Sequence, residues 1–488
     1  MLAAALPLQY AARAESPPKR PSILWVIPDQ MRAQALGCMG NPDVKTPNLD
    51  RLASEGVLFR KTFANTPVCC PARAILLTGK YPNKNGMMAN DLHLRESETS
   101  LAEILSDAGY RTGFIGKWHL EGGPRNPGFV PPGPKRQGFD FWAAHECQHS
   151  HFRPVYFRDT PEPIVDQRFE PEVWTDLALE FLDGLDPDQP YFLAVEMGPP
   201  HDPYGAPEPY RSMYQPNEIT LRPNWEPGVP NAGKEQIATY YAAITAIDAQ
   251  VGRLMEGLKA RKQDQNTIVL VTSDHGDMLG SHGQRLKRKP WEESIRVPGI
   301  LRYPAKVKPG RVSDALVSHV DIAPTMLALC GLPVPRSMQG TDLSRLVLGE
   351  TEQGPDSVFF QIFVPYDGDG TSGAWRGVRT NHHMYARSSE GPWLLYDLEN
   401  DPYEQKNLIG DPTSQALQKR LDARLSRWME QVGDSWSLNS DAHVEDEGRL
   451  YRFRSFTTIE EYLEWAREHP DLAPPDSPGK ARPSGVDD

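Results

Sequence analysis

The stretch SILWVIPDQ, residues 22–30, is a continuous apolar run that closes on Pro28, Asp29 and Gln30. A run of this kind, without polar alternation, is typical of a strand buried on both faces of a sheet. In an open α/β sheet the carboxyl ends of the strands converge on one crevice, where ligands bind. The stretch therefore predicts a central strand that delivers Asp29 and Gln30 to a functional site.

Three further strand-like runs close on polar residues in the same way: RTGFIGKWH (111–119), PYFLAVEMGPPH (190–201) and TIVLVTSDHGD (267–277). Their polar ends supply Lys117 and His119, then His201, then Asp274 and His275. Because strand ends meet at one edge of a wound sheet, these groups are expected to lie together despite their distance in sequence.

Helical segments alternate with these strands. Thr46 is a predicted N-cap for TPNLDRLASEG, Ser100 and Glu103 form a predicted capping box, and residues 234–258 carry one apolar face. Strands that alternate with helices predict an α/β fold, with a wound sheet covered by helices on both sides.

The pattern changes near Val358. Three strand-like segments joined by Gly, Asp and Ser predict a small antiparallel sheet, followed by a helix around Gln415–Gln431. We therefore expect four parts: 1–20, an export signal or a disordered N-terminus; 21–355, the catalytic domain; 356–440, a C-terminal α+β subdomain; and 441–488, a Pro-rich extension.

The composition excludes several classes. A net charge of -13 over 488 residues argues against a nucleic-acid partner, although a local basic pocket could still bind a small anion. The five cysteines are odd in number and scattered, unlike a disulfide framework. The N-terminus has an apolar run and an Ala-x-Ala pattern but no basic region, so a periplasmic or secreted location and a cytoplasmic one both stay open. Nothing in the sequence is long enough for a transmembrane segment.

The polar strand ends suggest a chemistry. Carboxylate, amide and imidazole groups suit a divalent cation, and they are supplied here by Asp29, Gln30, Asp274 and His275. Arg73, Lys117 and Lys287 add positive charge that a metal does not need. A metal beside several fixed cations indicates a bound dianionic group such as sulfate or phosphate.

The segment TPVCCPARAILLTGKYP, residues 66–82, contains adjacent cysteines at a predicted helix start. The positive end of a helix dipole favours a thiolate or an oxyanion, which permits a nucleophile there. Position alone does not choose between Cys69 and Cys70.

Cys69-x-Pro71-Ala72-Arg73, four residues and Thr78-Gly79 resemble the type I sulfatase signature C-x-P-[SA]-R-x4-T-G. Further blocks resemble that family in its order: GKWHL, PPHDPY, TSDHGDMLGSHG, KRKPWEESIRVP and LYDLENDPYEQKNL. The resemblance spans roughly residues 21 to 435. It implies an alkaline-phosphatase-like fold, in which a wound mixed sheet flanked by helices is followed by a smaller C-terminal antiparallel sheet.

The resemblance implies that Cys69, and not Cys70, is oxidised to Cα-formylglycine by a maturation enzyme. An oxygen of the modified residue would join Asp29, Gln30, Asp274 and His275 at the metal. The aldehyde hydrate would attack sulfur as the alcohol leaves, and would then collapse to expel sulfate by elimination.

The same resemblance assigns the surrounding residues. Arg73 would steady the hydrate and the metal site, Lys117 would bind sulfate oxygens, and His119 would be the base for elimination. His201 and Lys287 would bridge the leaving oxygen, with His201 the better proton donor.

The metal residues depart from a common family pattern, in which Asp-Asp and Asp-Asn stand where this chain has Asp29-Gln30 and Asp274-His275. The family favours calcium, while a nitrogen ligand and one fewer negative charge leave manganese and magnesium open.

The implied activity is hydrolysis of a sulfate monoester, on a carbohydrate in preference to a small aryl or alkyl sulfate. A phosphonate monoester or phosphodiester hydrolase is the alternative enzyme, and a non-catalytic binding protein or a redox thiol protein is the alternative from another class. In HECQHSHF, residues 145–152, His145, His149 and His151 fit a polar loop, a substrate contact or a second metal site. Arg285, Arg288 and Lys289 fit an exposed basic loop.

Overall fold

The computed structural model describes residues 19–90, 92–122, 127–186, 188–363, 374–388, 390–434, 443–446 and 449–452. Residues 1–18 of the predicted export segment and most of the predicted extension 441–488 lie outside the described residues. Within the described ranges, every helix is too short or too polar to cross a bilayer.

The strands are β1 (Ser22–Asp29), β2 (Val57–Phe63), β3 (Arg111–Lys117), β4 (Phe141–His145), β5 (Val155–Tyr156), β6 (Ile164–Val165), β7 (Tyr191–Pro200), β8 (Thr267–Val271), β9 (Arg296–Val297), β10 (Ile300–Arg302), β11 (Arg311–Ser318), β12 (Ser357–Ile362), β13 (Trp375–Thr380), β14 (His383–Ser388), β15 (Gly391–Asp397), β16 (His443–Asp446) and β17 (Arg449–Arg452).

The α-helices are α1 (Pro47–Ser54), α2 (Cys69–Thr78), α3 (Pro82–Asn85), α4 (Leu101–Asp107), α5 (Glu170–Asp183), α6 (Lys234–Ala260), α7 (Glu292–Ile295), α8 (His319–Leu329), α9 (Ser344–Val347) and α10 (Gln415–Val432). Short 3₁₀ segments lie at Ala33–Ala35, Gly37–Met39, Pro134–Arg136, Arg211–Met213, Pro216–Glu218 and Pro412–Ser414.

A large mixed sheet organises the protein, with strand order β11-β2-β10-β8-β1-β7-β3-β4 and β9 paired to β2. β1 runs parallel to β7 and β8 on its two sides, as the apolar run at 22–30 predicts. The pairs that involve β9 and β10 are antiparallel, which makes the sheet mixed. The predicted α/β architecture is confirmed.

Alternate side chains of β1 enter opposite cores because successive residues of a strand point to opposite faces. Leu24 and Val26 pack among residues of α1, α5 and α6, whereas Trp25 and Ile27 pack among residues of α2, α4 and α8. Helices thus cover both faces of the sheet and leave its strand ends to form the site.

Helix starts show what the sequence could and could not predict. The capping box is present, because Glu103 N donates to Ser100 Oγ at 3.0 Å and Ser100 N donates to Glu103 Oε2 at 2.8 Å. Thr46 occupies the N-cap position of α1 as predicted, but its side chain makes no capping hydrogen bond to the helix. The Thr46 hydroxyl instead donates to Asp50 Oδ1 at 3.1 Å and accepts from Gly37 N at 2.9 Å, which draws it away from the helix amides.

The predicted small antiparallel sheet is confirmed as β12-β13-β14-β15, and the predicted helix beside it is α10. Leu421 and Leu425 of α10 pack against Tyr385 and Leu395 of this sheet. The sheet also contacts the main body, since Trp375 Nε1 donates to the Arg288 carbonyl at 2.9 Å. The second sheet therefore holds the loop that carries Lys287.

Candidate active site

The predicted site forms where β1, β3 and β8 end. Asp29 is the last residue of β1 and Lys117 the last of β3, while Asp274 and His275 lie in the loop after β8. All four side chains are buried. Gln30, with a φ of 65°, turns the chain so that its amide N–H donates to Asp274 Oδ1 at 3.0 Å. This bond joins the ends of two neighbouring strands.

Helix α2 brings the cysteine to these strand ends. The helix begins at Cys69, which is 2% exposed. Its Sγ lies 3.3 Å from His275 Nε2. Cys70 packs instead in the apolar core on the α2 side of the sheet. Neighbouring helix residues point in different directions, and here only Cys69 faces the polar cluster.

A group of four side chains fits a divalent cation, because the ligand atoms of Asp29, Cys69, Asp274 and His275 lie within 4.8 Å of one another. The His275 Nδ1 proton is directed at the Gly276 carbonyl at 3.1 Å, which leaves the Nε2 lone pair facing the group. Asp29 Oδ1 is buried and has no hydrogen-bond partner. A buried carboxylate oxygen of this kind is satisfied by a cation.

The side chain of Gln30 is fixed from two sides. Its Nε2 donates to Asp277 Oδ2 at 2.7 Å and to Asp202 Oδ1 at 3.3 Å, while Lys287 Nζ donates to its Oε1 at 3.0 Å. Sequence reasoning missed Asp202 and Asp277, although each lies within a sulfatase-like block that was recognised. Their role is visible only once the amide that they orient has been placed.

Two cations neutralise the carboxylates. Lys117 Nζ lies 2.7 Å from Asp29 Oδ2, and Arg73 Nη2 lies 3.1 Å from Asp29 Oδ2 and 3.2 Å from Asp274 Oδ2. Arg73 Nη1 also pairs with Glu196 Oε2 at 2.6 Å. Sequence reasoning missed Glu196, whose one signal is a carboxylate inside the otherwise apolar strand β7.

The remaining predicted residues complete the cluster. His201 Nε2 lies 2.8 Å from Lys287 Nζ, and the His201 Nδ1 proton is directed at the Asp202 carbonyl at 2.6 Å. His119 is buried, and its side chain adds to the effect of the neighbouring charges in lowering the pKa of the Cys69 thiol. The structure thus brings every predicted catalytic and metal residue into one cluster.

Charge in the cluster sets the ionisation of its members. Burial opposes ionisation of Cys69, but the charges of Lys117 and Lys287 outweigh it and hold the pKa of this thiol well below its usual range. Burial likewise opposes the charge of Asp29, and Lys117 lowers the pKa of that carboxyl despite it. The site is therefore built to hold negative charge at position 69.

The three histidines of residues 145–152 do not form a metal group among the described residues. His151 Nε2 donates to the His201 carbonyl at 2.9 Å, and His149 stacks on the His201 ring with 4.0 Å between centroids. Burial lowers the pKa of His145 to about 3. The hypothesis of a second metal site at these residues is not supported.

The basic residues around Lys287 are less exposed than the sequence predicts. Arg285 and Arg288 are half-buried, and Lys289, expected in an exposed loop, is buried. The backbone N–H of Lys289 donates to Ser294 Oγ at 3.2 Å, which draws this end of the loop onto α7.

Two family models match this chain. The sulfatase model matches residues 21–332, and a second model, for the C-terminal part of N-sulphoglucosamine sulphohydrolase, matches residues 280–431. An ulvan-active sulfatase of Formosa agariphila is 39% identical over 425 residues, which cover 86% of this chain and 83% of that protein.

Two solved structures are similar to this chain over most of its length. A structure assigned to the sulfatases, yidJ of Bacteroides fragilis, superposes with a TM-score of 0.79 at 32% identity, covering 87% of this chain and 98% of that one. A second, solved in complex with its substrate D-glucosamine-2-N,6-O-disulfate, superposes with a TM-score of 0.77 at 26% identity, covering 86% of this chain and 99% of that one.

Proposed function

The chain belongs to the sulfatase family and is a sulfatase, and we propose that it hydrolyses a sulfate monoester carried by a carbohydrate. One observation carries the proposed chemistry: Cys69 lies among the fully buried carboxylates of Asp29 and Asp274 and the cations of Arg73 and Lys117. The sulfated glucosamine bound by one solved relative supports the sugar as the substrate class.

We propose that Cys69 acts as Cα-formylglycine. Its hydrated aldehyde supplies the hydroxyl that attacks sulfur, and afterwards releases sulfate by elimination rather than by a second hydrolysis. We assign the proton of the second hydroxyl during elimination to His119, a buried side chain that contributes to the lowered pKa of Cys69.

A divalent cation fits the site for the reasons of donor chemistry given above. Asp29, Gln30, Asp274 and His275 would hold it together with an oxygen at position 69, and calcium is the proposed ion, with manganese and magnesium as alternatives. A bound cation would act as a Lewis acid that stabilises charge on the sulfuryl group.

The positive side chains bind the substrate's anionic group. Against the effect of burial, the charges of Lys117 and Lys287 lower the pKa of the Cys69 thiol. Arg73 bridges Asp29, Asp274 and Glu196 and thereby fixes the carboxylates. We assign Lys117 to the sulfate oxygens and Arg73 to the support of residue 69 and the metal ligands.

The leaving alcohol faces the His201–Lys287 pair. Because the His201 Nδ1 proton is directed at the Asp202 carbonyl, Nε2 and Lys287 Nζ share one proton across their 2.8 Å contact. That proton is the one we assign to the departing oxygen, with His201 as the donor.

The first test compares Cys69→Ala with its matched neighbour Cys70→Ala. We expect Cys69→Ala to abolish turnover of a sulfate ester and to keep the melting temperature, and Cys70→Ala to keep turnover, because only Cys69 faces the cluster. Mass analysis of the Cys69 peptide should show loss of one sulfur and two hydrogens with gain of one oxygen.

Three outcomes would contradict the proposal. An inactive Cys70→Ala beside an active Cys69→Ala would place the nucleophile one residue away. Turnover of a phosphonate monoester without any of a sulfate ester would assign the alternative hydrolase. A peptide mass on the thiol oxidation ladder would indicate a redox thiol instead.

A further inference from the structure

The proposed proton donor stands on a short turn that leaves β7. His201 N donates to the Gly198 carbonyl at 3.1 Å, so the turn spans Gly198–His201. The outer side of this turn is held by a side chain, because His151 Nε2 donates to the His201 carbonyl at 2.9 Å. The backbone of His201 is therefore anchored independently of its ring.

A carboxylate holds both ends of the turn. Glu170, the first residue of α5, accepts from Gly198 N at 2.8 Å through Oε1 and pairs with His151 Nδ1 at 3.0 Å through Oε2. The fit is close, since a Cβ added at Gly198 would lie 2.6 Å from Glu170 Oε2. Glu170 thus binds Gly198 directly and His201 through His151.

The ring of His151 lies between a carboxylate and a carbonyl, which contact its Nδ1 and its Nε2 respectively. Burial opposes the charge of Glu170, but the hydrogen bond and charge of His151 outweigh it, and the pKa of Glu170 lies below its usual range. The two side chains form a buried hydrogen-bonded pair.

The ring of His201 is held from further directions. His149 stacks on one face with an interplanar angle of 11°. The Asp202 carbonyl accepts from Nδ1, and Lys287 Nζ lies against Nε2. The pair formed by Glu170 and His151, called the histidine brace below, holds the backbone of this residue instead of its ring.

We propose that the histidine brace is a positioning device for proton transfer to the leaving alcohol, holding His201 so that its Nε2 stays against Lys287 Nζ. This rests on the function proposed above. As the S–O bond to the alcohol breaks, its electron pair stays on the alkoxide oxygen, which takes the proton held between Lys287 and His201. The attacking hydroxyl releases a proton to solvent as its oxygen bonds to sulfur, and solvent later returns a proton to the pair, so the protons balance.

Such a role makes a specific kinetic prediction, because a general acid matters more as the leaving group becomes worse. Glu170→Gln keeps the shape but removes the charge, and His151→Asn removes one of the two bonds. On a series of aryl sulfates that ends in a sugar sulfate, we expect both variants to lose about 10- to 100-fold in kcat/KM on the poorest leaving group. The best leaving group should lose only a few-fold.

Trp174→Phe is the matched control, because Trp174 Nε1 donates to Glu170 Oε1 at 2.7 Å and the change leaves the bonds to Gly198 and His151 in place. We expect this variant to lose stability and to keep the wild-type dependence on the leaving group. Melting temperatures of all variants are measured alongside the kinetics. If Glu170→Gln does not fold, His151→Asn decides the outcome, because Glu170 then keeps its donors Gly198 and Trp174.

The outcomes separate the two proposals. A leaving-group dependence that steepens in Glu170→Gln and His151→Asn supports the brace. If kcat/KM falls by the same factor for every ester in the series, so that the dependence on the leaving group matches that of the control, the brace is overturned. The proposed sulfatase mechanism is then unaffected. A wild-type protein that turns over none of the esters overturns the proposed function itself.

Discussion

Two adjacent cysteines receive opposite environments from one helix. Cys69 faces the carboxylates and cations at the strand ends, while Cys70 packs in the apolar core. The spacing from Cys69 to Pro71 and Arg73 selected the first of the pair from sequence. Glu196 and Glu170 could not be found that way, since a lone carboxylate in a strand or at a helix start has many ordinary explanations. Their partners, Arg73 and His151, are distant in sequence.

A buried carboxyl close to the site gives a prediction about pH. Glu146 is 4% exposed, and burial raises its pKa to about 8. Between its ordinary value and this one, the folded chain keeps a proton that the unfolded chain has released, so the free energy of unfolding falls as pH rises through that window. In Glu146→Gln we expect this fall to shrink by about 1.4 kcal/mol for each unit by which folding raises the pKa of Glu146.

Urea unfolding at about pH 5, 7 and 9 measures this difference. Glu256→Gln, at an exposed position of α6, is the matched control and should keep the wild-type profile. An unchanged profile in Glu146→Gln would mean that Glu146 is already ionised in the folded protein at neutral pH.

At the scale of elements, the sequence predicted what local chemistry decides. Apolar runs fixed β1, β7 and β8, and the Ser100–Glu103 pair fixed the start of α4. The side chain of Thr46 does not cap α1, because its hydroxyl accepts a hydrogen bond from Gly37 N, which lies outside the helix. Such competition cannot be seen in a window of sequence.

Helix caps provide the prediction at this scale. Ser100→Ala should lower the free energy of unfolding by about 1 kcal/mol or more, because it removes the acceptor for Glu103 N and a bond to the Gln137 carbonyl at 2.7 Å. Ser414→Ala is the matched control, since Ser414 precedes α10 without a side-chain bond to it, and should change stability by less than about 0.5 kcal/mol. Urea titrations compare the two. Equal losses of unfolding free energy in the two variants would contradict the stabilising role of the Ser100–Glu103 capping box.

At the scale of the whole molecule, ion pairs at the site join helix α2 to the ends of the strands, because Arg73 of α2 pairs with Asp29 and Asp274. Asp29 and Asp274 are fully buried carboxylates that Arg73 and Lys117 neutralise only in part, since Asp29 Oδ1 is left without a hydrogen-bond partner. A bound cation would complete this balance and, because the unfolded chain lacks the site, would also stabilise the fold. Activity and stability should therefore respond to metal together.

Chelation tests this link. We expect a chelator to abolish turnover of a sulfate ester and to lower the free energy of unfolding by about 2.7 kcal/mol for an ion formerly present at 100 times its dissociation constant. Added calcium should restore both. Asp274→Asn, which weakens the ligand group, is expected to show a smaller change in melting temperature. If the chelator leaves the melting temperature of the wild-type protein unchanged, the proposal of a metal at this site is contradicted.

The bond from Trp375 Nε1 to the Arg288 carbonyl ties the second sheet to the residue next to Lys287. A chimera that joins the first 355 residues of this chain to the C-terminal portion of a relative would therefore inherit the setting of that lysine from the donor. Recombination between relatives at this junction would exchange part of the catalytic apparatus, and not merely an appendage.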